Sequence, residues 1–248
     1  MQTTEKCRFQ RKIGFYEKYI KRLIDIVCAV LAILVFGWLY IIVAILVKIK
    51  LGRPIIFEQY RSGLIDPNTG KERIFKMYKF RTMVDKRDEN GVMLSDEERI
   101  TKFGSWLRST SLDELPEAFC ILNGTMSIVG PRPQLVKDMV FMSDEQRMRH
   151  TARPGLSGLA QVKGRNAITW DEKLAYDLEY IKKVTFINDL KIVIMTFFKA
   201  FVKQEGITEE GKATAADYGD YLLGMGKIGF EEYKKKMLLA QEILKDID

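Results

Sequence analysis

The sequence predicts an α+β protein that is mainly helical. It would have a re-entrant membrane helix near the N-terminus, one β-hairpin, and a helical cytosolic domain with interfacial amphipathic helices. Three observations predict this class: an uncharged apolar run at residues 26–47, alternating segments around a turn within residues 54–81, and helical periodicity in most of the remaining chain. We expect a basic segment and membrane helix at 1–50, the main domain at 51–205, and a linker with a last helix at 206–248.

The apolar run is long enough to reach across a bilayer. Its 22 residues would form a helix of about 33 Å, against about 30 Å for the hydrocarbon core. Basic residues flank it on both sides: Lys6, Arg8, Arg11, Lys12, Lys18, Lys21, Arg22, Lys48, Lys50 and Arg53. Because positive flanks favour the cytoplasmic side, we expect the segment to enter and leave on that face, bending near Gly37. A straight span and a buried core helix are the alternatives.

The next segment has the pattern of a hairpin. Residues 66–70 (DPNTG) have strong turn chemistry, and strand-like segments lie on both sides of them. Side chains alternate along a strand, so Lys79 and Arg81 would share one face. They could serve a site there, or simply keep an exposed edge soluble.

Helical patterns follow the hairpin. Residues 85–99 are highly charged and suggest a solvated loop or a helix start, and residues 206–229 suggest a linker. Helices are predicted at 113–123, 134–150, 171–183, 186–203 and 230–246. The fourth is apolar over most of its circumference, which fits either a core helix or a helix in the membrane interface.

Composition narrows the function classes. The net charge of +7 suggests a polyanionic partner, such as nucleic acid, an acidic membrane surface or a phosphorylated substrate. The three cysteines are far apart and His150 is the only histidine, which argues against a disulfide framework, a zinc site and a His-based triad. A reduced, cytosol-facing domain is the natural interpretation.

Two adjacent acids stand out in residues 111–116 (SLDELP). Pro116 fits the first turn of a helix, so Asp113 and Glu114 would lie at the helix start, where free N–H groups lower carboxyl pKa values. Ser111 and Glu114 also match a capping box. A capping box needs only one acid, however, so we favour a site in which one carboxylate attacks and the other holds a metal or positions a group.

Cations that could bind phosphate occur around this motif. They are Lys79, Arg81, Arg108, Arg132, Arg153 and Arg165. Each alone fits a surface charge as well as a ligand. Several lie in rigid contexts, such as Arg132 between Pro131 and Pro133, and arginine binds phosphate bidentately.

Four ordered motifs together resemble one protein family. They are FKMYKFRTM at 75–83, LRSTSLDELP at 107–116, SIVGPRP at 127–133 and RPGLSGLAQV at 153–162. Over residues 17–215 the chain resembles the bacterial sugar transferases, the small monotopic polyprenyl-phosphate phosphoglycosyl transferases. Residues 163–170 (KGRNAITW) more weakly resemble the branch that acts in bacterial protein glycosylation.

The resemblance implies a reaction and a site. Asp113 would attack the β-phosphate of a UDP-sugar and release UMP, and polyprenyl (undecaprenyl) phosphate would then take the phosphosugar. Mg2+ would be required, Glu114 would be a metal-site or positioning acid, and Lys79, Arg108 and Arg132 would contact phosphates. Taking the residues and the resemblance together, we expect Asp113 and Glu114 to hold the metal, and the substrate to be bound by Lys79, Arg81, Arg108, Pro131, Arg132, Pro133, Arg153 and Arg165.

The resemblance also implies a location and partners. The enzyme would lie in the bilayer of the cell membrane, with its active site on the cytoplasmic face. Its further partners would be a second copy of the chain or the glycosyltransferases that act after it, and it would not bind nucleic acid.

The chain departs from the family pattern at three places. Gly37 and Trp38 stand where the family usually has Ser-Pro, Glu117 where it often has glutamine, and Thr125 where it has aspartate in a Gly-Asp-Met-Ser pattern. These changes bear on the bend of the membrane helix and on the surroundings of the acids.

Two functions from other classes compete with this hypothesis. A non-catalytic membrane scaffold could bind phosphorylated lipids through its basic surface, but it would gain nothing from the adjacent acids. A nucleic-acid-binding protein would fit the net charge, but the basic residues form no stripe with interleaved aromatics.

Overall fold

The computed structural model describes residues 9, 11–164, 168–199 and 216–247. Within these residues the chain is mostly helical and has two sheets of two strands each. The predicted mainly helical α+β class is therefore confirmed. Of the residues named from the sequence, Lys6, Cys7, Arg8 and Arg165 lie outside the described residues.

One long helix dominates the N-terminal region. A π-helical turn, Tyr16–Ile20, leads into α1, Lys21–Leu51, which continues through Gly37. Together they form an apolar helix long enough to cross a membrane, with only 11% of its most apolar window buried. The helix buries residues at four-residue intervals near each end: Lys21, Asp25, Ala29, Val43, Val47 and Leu51.

Both ends of α1 contact the rest of the protein. Near the start, Asp25 Oδ1 accepts hydrogen bonds from Ser127 Oγ and the Ile128 amide, each at 3.0 Å. Near the end, Val47 packs in one cluster with Phe80 and Leu107. The i, i+4 spacing of the buried residues places these contacts along one helix face.

The predicted hairpin is confirmed. Strand β1, Ile56–Ile65, pairs antiparallel with β2, Glu72–Phe80. In the turn, Asp66 Oδ1 accepts a hydrogen bond from the Asn68 amide at 2.9 Å, and Gly70 has a φ of 67°. Glycine adopts that angle at no steric cost, so the turn chemistry of residues 66–70 favours this hairpin.

Short helices follow the hairpin. Helix α2, Asp96–Arg99, lies in the charged segment, and α3, Lys102–Ser109, comes next. A 3-10 turn, Leu112–Glu114, precedes α4, Glu117–Asn123. The predicted helix at 113–123 therefore begins later, because Pro116 occupies the N-cap of α4.

A second sheet was not predicted. Strand β3, Ser127–Val129, pairs parallel with β4, Gly155–Ser157, so two of the sequence motifs lie side by side. A Cβ atom on Gly155 would lie 2.0 Å from the Gly130 amide nitrogen. Three-residue strands this far apart in sequence give little periodic signal.

We expect Gly155→Ala to lower the free energy of unfolding by about 3 kcal/mol, because the added methyl group would force the two strands apart. Gly224→Ala is the matched control, since a Cβ atom there would meet no atom within 4 Å. Chemical unfolding of both variants in detergent gives the comparison. Equal stability of the two variants would contradict the close approach of the strands.

The segment predicted as one helix at 134–150 is broken. It consists of α5, Val136–Met139, then α6, Asp144–Arg147, and a 3-10 turn, Met148–Thr151. Ser143 accepts a hydrogen bond from the Gln146 amide and starts a new helix, which explains the interruption.

Three helices follow β4. They are α7, Leu159–Lys163, α8, Trp170–Lys182, and α9, Phe186–Phe198. The predictions for α8 and for the start of α9 are confirmed. In α9 the described buried residues are Asp189 and Ile192, and most apolar side chains face outward.

The C-terminal region docks on the domain. Helix α11, Phe230–Lys245, confirms the last predicted helix, and its Ala240 is buried with Val136 and Met139. The predicted linker is wrong over α10, Tyr218–Gly224, whose apolar residues pack into a cluster with Trp170. Residues 206–215 lie outside the described residues, and the predicted domain boundaries stay predictions.

Candidate active site

The Asp-Glu pair lies on a strained turn between α3 and α4. Among the described residues, Ser111 is the non-glycine residue with a positive φ, at 55°. Its side chain makes no capping hydrogen bond, so the capping-box alternative is wrong. Backbone strain of this kind clusters at functional sites. The turn buries Asp113, which keeps 7% of its surface exposed.

The surroundings of Asp113 correct one expectation. Burial raises the pKa of Asp113 to about 6, although the positive charges of Lys79 and Arg108 oppose that shift. A lowered pKa was expected from free N–H groups at a helix start. That expectation is wrong, because the helix begins at Glu117 and desolvation outweighs the remaining favourable charges.

Lys79 joins the hairpin to this turn. Its Nζ donates to Glu114 Oε1 at 2.7 Å and lies 3.1 Å from Glu117 Oε1. Arg132 Nη2 lies 3.6 Å from the same Glu114 oxygen. The fold thus brings Lys79, Arg132, Glu114 and the buried Asp113 into one site. We call these four residues and Glu117 the acid–base cluster.

Glu117 is the member of the cluster that was not predicted from the sequence as a site residue. It is 3% exposed. Burial raises its pKa to about 7 even though Lys79 attracts its charged form. The sequence does carry a signal for this residue, because Glu117 stands where the family often has glutamine.

The other predicted cations differ in how close they lie to the acid–base cluster. Arg108 Nε donates to Thr82 Oγ1 at 3.0 Å and is close enough to Asp113 to favour its charge. Arg81 holds the carbonyl groups of Met83 and Arg53, at 2.7 and 2.6 Å. The Arg81 side chain therefore holds the backbone together at this point and is not directed at the acid–base cluster.

Arg153 points to a different neighbourhood. Burial and the nearby positive charge of Arg22 lower its pKa, while Asp25 opposes that shift. These charge partners belong to the first turns of α1, not to the acid–base cluster. The contacts of Arg153 therefore do not bring it together with Asp113 or Glu114.

The loop after β3 presents Arg132. Pro131 and Pro133 are buried, whereas the Arg132 side chain is 45% exposed. The prolines restrict the backbone on both sides of this arginine. An exposed cation on a fixed backbone beside a carboxylate cluster can bind a phosphate group of an incoming substrate.

The family model described as "Bacterial sugar transferase" matches residues 16–203. That range contains α1 and every described member of the cluster. The chain belongs to the bacterial sugar transferase family. As a member of this family it is an enzyme, and the family resemblance read from the four motifs is confirmed.

Several bacterial proteins of this family are similar to the chain. The chain is 40% identical over 196 residues to the uncharacterised sugar transferase EpsL of Bacillus subtilis, covering 79% of this chain and 94% of EpsL. It is 37% identical to the UDP-glucose:undecaprenyl-phosphate glucose-1-phosphate transferase of Klebsiella pneumoniae, covering 79% of this chain and 43% of that protein. The exopolysaccharide production protein ExoY of Rhizobium meliloti is 34% identical, with 71% and 83% covered.

A buried polar network in this sugar transferase resembles a triad. His150 Nδ1 lies 3.0 Å from Glu72 Oε1, and His150 Nε2 lies 3.3 Å from Ser62 Oγ. Ser62 is fully buried, however, so no substrate reaches its hydroxyl group. The Ser62 amide donates to the Gln134 carbonyl at 3.0 Å, so the network supports the loop that carries Arg132.

The network predicts a loss of stability in acid. Burial lowers the pKa of His150 to about 4, with Arg149 and Arg147 adding to the shift and Glu72 opposing it. The unfolded chain protonates near pH 6.5, so the stabilisation is present above that pH and is lost as the pH falls towards 4. A shift of this size corresponds to about 3 kcal/mol.

We therefore expect the free energy of unfolding to fall between pH 6.5 and 4 more steeply in the wild type than in His150→Gln, by about 3 kcal/mol over that range. Denaturant unfolding across this pH range measures the difference. Glu72, whose pKa is held at about 2 against the effect of burial by His150 and Arg147, titrates below this window. Parallel pH profiles would show that His150 is not held neutral.

An apolar groove lies beside the acid–base cluster. It has a volume of about 360 Å³. Its walls come from α1, the hairpin and α4: Tyr40, Ile56, Glu58, Tyr78, Phe80, Pro116 and Phe119. Tyr40 donates a hydrogen bond to the Leu115 carbonyl at 2.6 Å, which fixes α1 against the Asp113 turn.

The acids of the site can be compared with what Mg2+ requires. Among the described residues no group of three or more His, Cys, Asp or Glu side chains has an arrangement that could hold a metal by itself. Mg2+ usually takes one or two carboxylates together with substrate phosphates and water. Asp113 and Glu114, adjacent on one turn, fit that smaller donor set.

Proposed function

We propose that this enzyme transfers a sugar-1-phosphate from a UDP-sugar to polyprenyl phosphate, releasing UMP and forming a polyprenyl-diphosphate-sugar. The observation that carries the proposal is the buried Asp113 next to Lys79, Arg108 and Arg132. Such a set supplies a nucleophile and three cations for a diphosphate. Relatives named for transfer to undecaprenyl phosphate, from glucose and N-acetylgalactosamine donors, support the substrate class.

In the first step Asp113 acts as the nucleophile. One carboxylate oxygen forms a bond to the β-phosphorus of the UDP-sugar, and the bond from that phosphorus to the bridging oxygen breaks. UMP leaves with the bonding electrons, and a phosphosugar stays on Asp113. Because Asp113 is poorly solvated but largely ionised from about one pH unit above its pKa of about 6, little water must be removed before attack.

In the second step polyprenyl phosphate displaces Asp113 from the phosphosugar. A phosphate oxygen of the acceptor attacks the phosphorus of the aspartyl phosphosugar, and the bond to Asp113 breaks, which restores the carboxylate. The apolar groove beside Pro116 would take the first part of the prenyl chain. Lys79 and Arg132 neutralise the phosphate oxygens in both steps.

Asp113 and Glu114 are the residues that would hold Mg2+. When bound, the ion would neutralise the charge of the diphosphate and of the leaving UMP. Glu114 is already oriented for this role by Lys79 at 2.7 Å.

The pattern of buried side chains supports placement of the enzyme at a membrane. Near its start α1 buries Lys21 and Asp25, and α9 buries Asp189, while both helices turn large apolar side chains outward. Lys21 forms an ion pair with Asp189, which joins the two helices. A helix that hides its charges and exposes its apolar surface suits contact with lipid.

The contacts of α1 support re-entry. Asp25 and Leu51 are 26 residues apart, or about 39 Å along a helix, which exceeds the hydrocarbon thickness of about 30 Å. Both nevertheless contact the same domain. Contact of both ends with one domain supports our proposal that they lie on one side of the membrane, the cytoplasmic side where UDP-sugars are found.

We expect a cysteine placed at Thr3 to be labelled by a membrane-impermeant thiol reagent only after cell lysis. Cys7 and Cys28 are replaced by serine in the test variant, whereas buried Cys120 is kept. A second variant carries its cysteine at exposed Glu89, and labelling of that cysteine reports on which side of the membrane the domain lies. If Thr3 is labelled in intact cells while Glu89 is protected, the helix spans the membrane and re-entry is wrong.

The reaction is tested by incubating the purified enzyme with a panel of UDP-sugars, with and without undecaprenyl phosphate. We expect catalytic UMP release with at least one sugar, and a lipid-linked phosphosugar only when the acceptor is present. Binding of polyprenyl phosphate without UMP release from any donor would favour the scaffold alternative. Membership of the protein-glycosylation branch stays a prediction, as do a second copy of the chain and later glycosyltransferases as partners.

A further inference from the structure

A fully buried arginine lies behind the substrate loop. Arg149 is 1% exposed, and its guanidinium group is surrounded by polar atoms. Nε and Nη2 bind Asp177 Oδ2 of α8 at 2.8 and 2.7 Å, and Nη1 lies 3.0 Å from His150 Nε2. The remaining contact is a hydrogen bond from Nη2 to the Arg132 carbonyl oxygen at 2.5 Å.

Stability alone does not account for this arrangement. Removing an arginine and an aspartate from water is costly, and well-packed apolar residues often stabilise a core as well as a buried ion pair does. A buried pair can instead fix one geometry. In this protein the Arg149–Asp177 pair fixes the position of the Arg132 main chain.

The direction of the Arg132 side chain depends on that main chain. Its side chain is long and 45% exposed, and the ion pair with Glu114 at 3.6 Å is loose. Pro131 and Pro133 limit the backbone angles around Arg132. Only the contact from Arg149 holds the Arg132 carbonyl group itself among the hydrogen bonds of the described residues.

We propose that Arg149, oriented by Asp177, is a positioning residue that aims Arg132 at the phosphates of the nucleotide-sugar. The inference rests on the proposed function, since it assumes that Arg132 binds substrate. Arg149 touches no substrate and acts only through the Arg132 backbone.

The test is a double-mutant cycle with UMP release as the assay. Arg149→Lys keeps a charge near Asp177, but it puts one nitrogen on a shorter side chain in place of the three guanidinium nitrogens that contact Asp177, His150 and the Arg132 carbonyl group. We expect it to raise KM for the UDP-sugar about tenfold, with a smaller effect on kcat, because a charged hydrogen bond is lost. In an Arg132→Ala background the same change should alter kcat/KM less than about twofold.

Two controls separate positioning from folding. Arg73→Lys makes the same substitution at an exposed arginine that binds Asp66 and not Arg132. It should leave KM unchanged. Asp177→Asn keeps Arg149 and the shape of the site while removing the orienting charge, and it should raise KM as Arg149→Lys does. Activities are referred to the folded fraction measured by unfolding curves.

The outcomes distinguish the two levels of the proposal. If Arg149→Lys lowers kcat/KM by the same factor with and without Arg132, the positioning role is wrong although the substrate role of Arg132 stands. If Arg132→Ala itself behaves like Arg53→Ala, an exposed control, Arg132 does not bind substrate, and both statements fall. Should Arg149→Lys not fold, Asp177→Asn with and without Arg132 gives the same decision.

Discussion

Asp113→Asn is expected to lower the rate of UMP release by about four to six powers of ten, because losing a covalent nucleophile removes the chemical step itself. An amide oxygen does not attack phosphorus under these conditions. Incubation with a UDP-sugar alone should leave a phosphosugar on the wild-type protein and none on the variant, as measured by intact-protein mass spectrometry.

The same substitution should stabilise the fold at pH 8. Burial raises the pKa of Asp113 to about 6, so the folded state favours the neutral acid. That contribution is fully present below the unfolded pKa near 3.8 and is lost as the pH rises through 6. Asparagine never ionises, so the variant should gain up to about 3 kcal/mol at pH 8 when a chelator removes metal ions.

Asp85→Asn is the matched control, since that side chain is 59% exposed. It should change neither the rate nor the stability by a measurable amount. If pure Asp113→Asn releases UMP within tenfold of the wild-type rate, Asp113 is not the nucleophile.

Lys79→Met should lower kcat/KM by about two to three powers of ten, the usual loss when a charge that stabilises a developing anion is removed. It also leaves Glu114 and Glu117 without their shared cation, although Arg132 stays 3.6 Å from Glu114. We therefore expect a loss of stability of about 3 kcal/mol as well. Steady-state kinetics and unfolding curves measure the two effects separately.

A second substitution separates catalysis from folding. Adding Glu117→Gln to Lys79→Met removes the charge of the buried carboxylate that has lost its contact with the Lys79 ammonium group, so it should restore most of the stability and little of the activity. Lys76→Met is the control on the same strand, where the ion pair with Glu58 is exposed. Recovery of both properties in the double variant would mean that Lys79 has a structural role only.

Local rules predicted the hairpin and the long apolar helix correctly. The turn at residues 66–70 and the apolar run at 26–47 fix these elements because the relevant residues are neighbours in sequence. The prediction of one helix at 134–150 was wrong for a local reason, because Ser143 is a capping residue that starts a new helix. The sheet of β3 and β4 was not predicted for a different reason, because neither strand forms without the other.

The candidate site shows the same division. The sequence predicted Asp113, Glu114, Lys79 and Arg132 as site residues from their motifs, and the structure brings these four residues together. The sequence did not show that Arg81 and Arg153 have contacts elsewhere, or that Glu117 belongs to the cluster. Those facts depend on which distant segments meet at the turn.

By itself, the sequence determined the residue chemistry of this sugar transferase: a membrane-length apolar helix, adjacent acids before a proline, and arginines in rigid loops. The tertiary structure alone decided the energetics of those groups. Burial raised the pKa of Asp113 against the local expectation, and Arg149 came to hold the Arg132 backbone. Solvation and charge pairing depend on surroundings built from the whole chain, so no short stretch of sequence can specify them.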